Sequence, residues 1–383
     1  MRLCKKVMAV LLLAMLLLLS ACGTTNQLKV EKQDYDISSE LTYASTIDLK
    51  YAKGFTVYFY EDGYELISIS EVGRFLLIPE GKNEPEDLED GIVIIERPID
   101  DIYLAASAVM DMFVSTGSMD LIRFSGLKPE GWYIEEAKKA MEDGRIEYAG
   151  KYNAPDYEKL LDAGCKLAIE STMIGHCPEV KEKLETLGIT ALTDRSSYET
   201  HPLGKTEWVK LYGVISGHTT EAQAVFDEQK DLYENLPKAD DTRKSVAFFY
   251  ITSNGMVNVR KTDDYVPKMI EMAGGHYIFD NLKDDKATSA VNLQLEEFYA
   301  TAKDADYLIY NSTTQKEMLT KEDLLDKSEL LEDFKAYKDG NLYMVSGDFY
   351  QESMNAGTFT KDLYIMLHEE NEGEEFKYLS KIE

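Results

Sequence analysis

Two hydrophobic rhythms alternate along this chain. Short apolar runs rich in Val, Ile, Leu, Phe and Tyr give way to stretches in which apolar residues recur every three or four positions. The first runs predict strands over 55–60 and 64–69, joined by the turn signal Glu61-Asp62-Gly63, and a third strand over 74–78 after Val72-Gly73. An acidic loop, 80–91, follows. Strands are then expected over 102–105, 121–124, 146–148, 167–169 and 190–192. Helices interleave with them, one starting at Ser107 and others over 134–141, 156–163 and 179–187. Repeated βα units imply a largely parallel sheet covered on both faces.

The stretch from Leu203 to Leu236 changes the picture, because its helical period outlasts that of any βα unit. Trp208, Leu211, Tyr212 and Ile215 share one stripe, and Ala222, Val225, Phe226, Leu232, Tyr233 and Leu236 share another. Thr219 and Thr220 are positioned as caps, and Gly213 and Gly217 predict a kink or two abutting helices. Beyond Asp240-Asp241 the alternation restarts, with strands over 246–251, 307–310 and 341–345 and helices over 265–273, 293–302 and 361–368. The expected class is α/β: two Rossmann-like lobes with mostly parallel sheets joined by a long helix, plus a small N-terminal β hairpin or meander. The expected boundaries are an N-terminal lobe over 46–204 carrying the extra strands, a linking helix over 205–238 and a C-terminal lobe over 239–383.

Residues 1–22 do not fit either rhythm. Arg2, Lys5 and Lys6 precede a continuous apolar run from Val7 to Leu19, and Leu19-Ser20-Ala21-Cys22 puts small residues ahead of a cysteine. The favoured reading is a lipoprotein signal peptide cleaved before Cys22, whose thiol then carries the lipid; an ordinary secretory signal with a chance cysteine is the alternative. Residues 23–45 are polar and aperiodic, as a tether would be. No other run is long and apolar enough to span a bilayer.

The formal charge of −29 becomes near −32 (−29 − 3) once the three signal-peptide cations leave. Such acidity repels nucleic acid but does not exclude a metal chelate. Cys165 and Cys177 flank a predicted strand that holds them about 20 Å apart. A disulfide tolerates about 7 Å between Cα atoms, so both are expected as buried free thiols.

Several phrases carry a resemblance. Asp156-Tyr157-Glu158-Lys159-Leu160-Leu161 ahead of Leu167-Ala168-Ile169, and Leu295-Glu296-Glu297-Phe298 ahead of Ala305-Asp306-Tyr307-Leu308-Ile309, occupy equivalent places in the two lobes. Ala273-Gly274-Gly275 and the run from Ala336 to Val345 add to them. With the lipobox and the helical link, the order from about Ile99 to His368 resembles the solute-binding lipoproteins of ABC importers. Within that group it is similar to the helical-linker, class III branch that serves iron-siderophore, haem and cobalamin uptake. The strands over 55–79 lie outside the common pattern.

The resemblance implies an ABC permease with its ATPase as partners, a metal chelate as ligand, a monomer, and a place outside the bacterial cell membrane, held by lipid. It implies permease-docking glutamates at Glu158 and at Glu296, where Glu297 competes for the role because the helix is about two residues long for the spacing. It also places an aromatic, Tyr152, facing the cleft. The residues themselves add candidates. In open α/β sheets ligands lie beyond the carboxyl ends of strands, which singles out Ser107, Thr172 and Tyr350. Trp132 follows the strand end at Phe124 and is placed to stack on a flat ligand. Arg260 is the cation best placed for an anionic chelate, and Tyr198 lies where a strand end enters the link. Met173 and His176 compete between axial ligation of iron or haem and a structural role. The chain's five histidines are dispersed, so no bare-metal site and no resident cofactor are expected.

No nucleophile–base pairing or nucleotide loop supports an enzyme. The reading is an extracytoplasmic binding lipoprotein of an ABC importer that captures a metal chelate, a ferric siderophore ahead of haem or cobalamin. Two other classes make different demands. A lipid-anchored hydrolase or transferase needs clustered titratable groups in the cleft; a surface adhesin needs an exposed apolar patch and no cleft.

Overall fold

Alternating burial organises the first sheet of the computed structural model, which describes residues 33–236, 242–282, 289–313, 320–368 and 375–383. The chain divides into two compact units, Met1–Ile37 and Ser38–Glu383. In the first, the described residues form a turn closed by the Asp36 amide donating to the Gln33 carbonyl at 2.9 Å. In the second, β1 (Tyr43–Thr46), β2 (Phe55–Tyr60), β3 (Glu65–Ile69), β4 (Gly73–Ile78) and β5 (Ile92–Glu96) lie side by side in that order. Pairing is antiparallel as far as β4, and β5 runs parallel to β4. Phe55, Val57, Ile67, Ile69, Phe75 and Leu77 join the main core of the N-terminal lobe. The expected turn forms where predicted, with Asp62 and Gly63 at φ of 65° and 86°. The expected three strands are five, and β1 begins inside the stretch read as a tether.

A second sheet collects β6 (Ile102–Leu104), β7 (Ile122–Ser125), β8 (Glu147–Tyr148), β11 (Leu167–Ser171) and β12 (Thr190–Asp194) in the order β12-β11-β6-β7-β8, all parallel. Between β8 and β11, β9 (Gly150–Lys151) and β10 (Ala154–Pro155) make a small ribbon. The helices of this lobe are α1 (Met110–Ser115), α2 (Glu135–Glu142), α3 (Tyr157–Asp162) and α4 (Pro178–Thr186). Cys165 is buried and Cys177 half-buried, and neither is bridged.

Three helices then form the spine: α5 (Pro202–Glu207), α6 (Val209–Ser216) and α7 (Thr219–Glu234). The expected break falls at Gly217, whose left-handed φ of 76° terminates α6. Gly213 lets α6 and α7 approach so closely that a Cβ there would fall 2.4 Å from that of Ala222. The expected threonine caps do not form. The Gly217 turn starts α7 one residue early, so non-helical His218 becomes the cap residue and Thr219 enters the first turn. Trp208, Leu211, Tyr212 and Ile215 are fully buried as their stripe implied, but Leu232 of the second stripe is 44% exposed.

The third sheet has a parallel centre, β15 (His276–Tyr277), β13 (Ser245–Ile251), β17 (Tyr307–Asn311) and β18 (Leu342–Val345). Antiparallel β14 (Val257–Arg260) and β16 (Ala290–Leu293) extend it beyond β13, and β19 (Leu379–Lys381) beyond β18. Its helices are α8 (Tyr265–Met272), α9 (Leu295–Ala302), α10 (Lys321–Lys327), α11 (Lys335–Asp339) and α12 (Ala356–His368). Spine helix α7 packs on α6 at one side and on α12 at the other. The Asp240-Asp241 boundary lies outside the described residues.

Two buried glutamates fasten the first sheet's lead-in to the spine. Glu207 is fully buried, and its carboxylate accepts the backbone amides of Lys50 (3.0 Å), Tyr51 (2.8 Å) and Ala52 (2.8 Å) together with the Lys210 ammonium (2.9 Å). Glu199 accepts the amides of Lys53 (2.9 Å) and Gly54 (2.8 Å) and the Trp208 indole N–H (3.0 Å). From the far end of the sheet, the Arg97 guanidinium pairs with Glu65 and donates to the carbonyls of Val214 and Ile215 on α6. Removing one partner of such a buried network strands the rest. Glu207→Ala is therefore expected to lower unfolding free energy by about 3–5 kcal/mol, read from urea midpoints at constant m; a loss under about 1 kcal/mol would show that the brace is not structural.

Candidate functional site

The carboxyl ends of the parallel strands in the second and third sheets place their loops along one seam, and C-terminal-lobe residues 347–354 stitch it. The Gln351 side chain donates to the Gly131 carbonyl (2.8 Å) and accepts the Tyr133 amide (2.9 Å). The Ser353 hydroxyl donates to the Ala108 carbonyl at 2.6 Å, and the Met354 amide to Asp111 Oδ2 at 2.7 Å. Burial pushes the Asp111 carboxyl up to about 6. The Tyr133 ring lies against Gly347, where a Cβ would sit 2.4 Å from it.

On the C-terminal wall, Arg260 ends β14 and Tyr350 follows β18, and the structure brings these two candidates together. The Arg260 guanidinium donates to the Tyr350 hydroxyl and to Ser289 Oγ (3.3 Å), and it faces Asp264 Oδ2 at 3.7 Å. Asn311, at the end of β17, donates to the same Tyr350 hydroxyl at 3.2 Å. Tyr350 thus accepts twice and keeps its own hydrogen to donate, and burial raises its pKa, so the phenol stays neutral. Asp264 caps α8 by accepting the Val266 amide at 3.0 Å, and burial raises its carboxyl against the pull of Arg260. Beside this group stands a residue that sequence reasoning missed, Lys205 of α5. It is 3% exposed, and its ammonium lies 4.9 Å from the Tyr265 ring centre. Burial first, and Arg260 second, push it down to about 8. No apolar stripe in the short Pro202–Glu207 helix announces it, although all of that helix's residues are buried.

Other candidates lie apart from this group. Trp132 is 4% exposed, its indole N–H bonded to Ser125 Oγ at 3.1 Å; the lobe's core takes up its ring, so it presents no stacking face. Ser107, Thr172 and Tyr152 are half-buried: Ser107 opens the turn after β6, Thr172 the turn Thr172–His176 after β11, and Tyr152 sits at the tip of the β9–β10 ribbon. Met173, 46% exposed, and His176, also exposed, lie in the same turn as Thr172. Among the described residues no three His, Cys, Asp or Glu side chains converge to hold a metal ion. Tyr198 lies under the Arg195 guanidinium (4.6 Å to the ring centre) and lines a cavity of about 210 Å³ with Lys53, Ser70 and Glu199, on the side of the first sheet. Glu158, in the first turn of α3, is exposed in a depression of about 440 Å³ with Arg123, Glu147, Lys159 and Asp162. Glu296 and Glu297 are both exposed in the first turn of α9. Cys22 lies outside the described residues, among which no helix is long and apolar enough to cross a membrane.

No family model matches the chain. Two curated relatives, both uncharacterized lipoproteins of Methanocaldococcus jannaschii, are similar over nearly their whole length. One is 26% identical over 409 residues, covering 96% of this chain and 94% of the relative. The other is 24% identical over 400 residues, covering 98% of each. Among solved structures, a periplasmic haem-binding protein of Vibrio cholerae aligns with a TM-score of 0.53 at 17% identity, covering 69% of this chain and 98% of that one. A periplasmic binding protein of Veillonella parvula reaches 0.57 at 15% identity, covering 86% and 99%, and the petrobactin-binding protein of Bacillus subtilis 0.54 at 13%, covering 70% and 92%. The chain has the α/β fold of the two-lobe periplasmic binding proteins, as the resemblance in its sequence implied.

One buried carboxylate has no partner. Glu170, on β11 just before the strand end, is fully buried, and neither oxygen finds a hydrogen bond among the described residues. Burial pushes it from 4.5 up to about 8. A folded-state pKa raised above the unfolded one means that the native state holds the proton more tightly, so this group withdraws stability as pH rises from about 4.5 to about 8. Glu170→Gln is expected to match the parent at pH 5 and to be about 2–4 kcal/mol more stable at pH 8.5, read from urea midpoints at both pH values. Equal pH slopes for the two proteins would refute it.

Proposed function

We propose that this chain is an extracytoplasmic, lipid-anchored substrate-binding protein of an ABC importer. It captures a metal chelate between its lobes and hands it to a permease. The observation that carries this reading is the convergence of Asn311 and Tyr350, at and after the carboxyl ends of β17 and β18, with the guanidinium that Arg260 reaches in from antiparallel β14, across a seam from the carboxyl edge of another sheet. A buried guanidinium and a neutral phenol with a hydrogen to spare suit the oxygen-rich rim of a ferric siderophore. The fold supports the same reading, since solved proteins that share it bind haem or petrobactin. Haem and cobalamin are the competing cargoes. Cys22 carries the lipid, and Glu158 with Glu296 meets basic pockets on the permease.

The two tryptophans, Trp132 and Trp208, are buried reporters. Titration of the purified protein with a ferric hydroxamate, a ferric catecholate, haemin and cobalamin is expected to quench their fluorescence with one of the four. A correctly folded protein that responds to none would remove the chelate reading. Arg260→Met is expected to weaken that binding by at least about tenfold, the loss of one charge-assisted hydrogen bond.

Docking is tested separately. Glu158→Arg is expected to leave soluble affinity unchanged and to abolish uptake in cells that depend on this protein. Uptake at the parental rate would remove Glu158 from the docking surface.

A further inference from the structure

We infer that the seam holds a carboxylate-binding subsite centred on Lys205, so that the cargo is a metal chelate bearing a carboxylate. This rests on the chelate-binding reading and names the ligand class within it. The geometry starts from one turn of helix. Glu207 and Lys205 stand two residues apart on α5, so they project to different sides. Glu207 is consumed by the amides of Lys50, Tyr51 and Ala52 and by Lys210. Lys205 turns instead to the C-terminal lobe, where its ammonium lies over Tyr265.

Lysine is almost never fully buried unless paired. Yet Lys205, 3% exposed, has no hydrogen bond and no ion pair within 4.0 Å among the described residues, and its ammonium lies against the Tyr265 ring. Its three donor hydrogens are therefore met by no described side chain, at a position with little room for water. Arg260 shares the same ring at 5.8 Å, which places a second cation alongside. The remaining charges decide the class of anion. Asp264, Asp111 and Asp194 all act on Lys205 through space. Asp264 is engaged by the Val266 amide and Arg260, Asp111 by the Met354 amide, and Asp194 by Ser196 and Tyr212. Those three acids repel any incoming anion in proportion to its charge, so a single carboxylate meets about half the repulsion of a dianion such as phosphate while still completing the ammonium. Tyr350, with its free hydroxyl hydrogen, and Asn311 line the same wall and supply neutral donors to the chelate's other oxygens.

The test is fluorescence titration of the mature protein with two carboxylate-bearing probes, ferric citrate and haemin, and three that lack one, ferrioxamine E, ferric enterobactin and cobalamin. The proposal expects the tightest binder to be a carboxylate probe, by at least about tenfold, and expects Lys205→Met to lose about tenfold or more for it while Lys205→Arg keeps most of the affinity. A carboxylate-free probe binding as tightly or more tightly would overturn the subsite and leave the chelate reading standing. So would Lys205→Met binding ferric citrate and haemin as the parent does. No response to any of the five would defeat the chelate reading itself. Should Lys205→Met not fold, the ranking of the five probes on the parent protein decides the matter.

Discussion

The Glu207 carboxylate fixes the relation between the first sheet and the spine, and the seam inherits its geometry from that bond network. Three consecutive backbone amides and one ammonium converge on a side chain with no solvent access. A buried carboxylate tolerates such a position only when nearly every lone pair is answered. Glu199 repeats the device on the next two residues of the lead-in, Lys53 and Gly54, and Arg97 clamps the far end of the sheet to α6. The first sheet is thus tied to α5 and α6 rather than to the seam. Its physical effect is to stiffen the link and hold α5 still, so the residues that α5 presents to the other lobe are set before any ligand arrives. A preformed site spends little binding energy on ordering, which favours affinity from a few well-placed groups.

Most of the fold was legible because the central strands and the spine bury regular patterns. The strands of the second sheet and the parallel centre of the third read as apolar runs, and the two glycines near residue 215 announced the elbow between α6 and α7. Two edge strands, β1 and β16, were not legible. All four residues of β1 are exposed, and in β16 only Leu293 is buried, so neither carries a usable alternation. The thresholds of helices misled for a related reason: Thr219 and Thr220 have the chemistry of caps, but a left-handed glycine two residues earlier decided where α7 began.

The candidate site was legible only in part. Arg260 and Tyr350 could each be singled out by residue type and place after a strand, whereas their bond joins residues 90 apart and exists only in the fold. Trp132 shows the converse. An aromatic after a strand end is equally suited to a cleft or a core, and a hydroxyl within reach of its indole nitrogen at Ser125 settled it for the core. Lys205 was invisible because Pro-Leu-Gly-Lys-Thr-Glu has no apolar stripe and reads as surface. Burying a wholly mixed helix takes contacts on every side, from the first sheet, the spine and the C-terminal lobe together.

Charge explains why the cations sit where they do. With a formal charge of −29, the exposed surface repels an anionic chelate at long range, although salt confines that field to about 8 Å. An exposed lysine among so many carboxylates would be neutralised by a neighbour, as Lys50 is by Glu234 and Lys335 by Asp306. Inside the seam the acids are already engaged: Asp264 by an amide and Arg260, Asp194 by two hydroxyls, Asp111 by an amide of the opposite lobe. Each of those bonds spends acceptor capacity that would otherwise capture Lys205. The seam therefore keeps one ammonium unneutralised at low dielectric, where a charge-assisted bond is strongest and an ill-matched charge is rejected most firmly. Selectivity for the ligand would then come less from attraction over distance than from the requirement to complete that single charge without overcharging its neighbours.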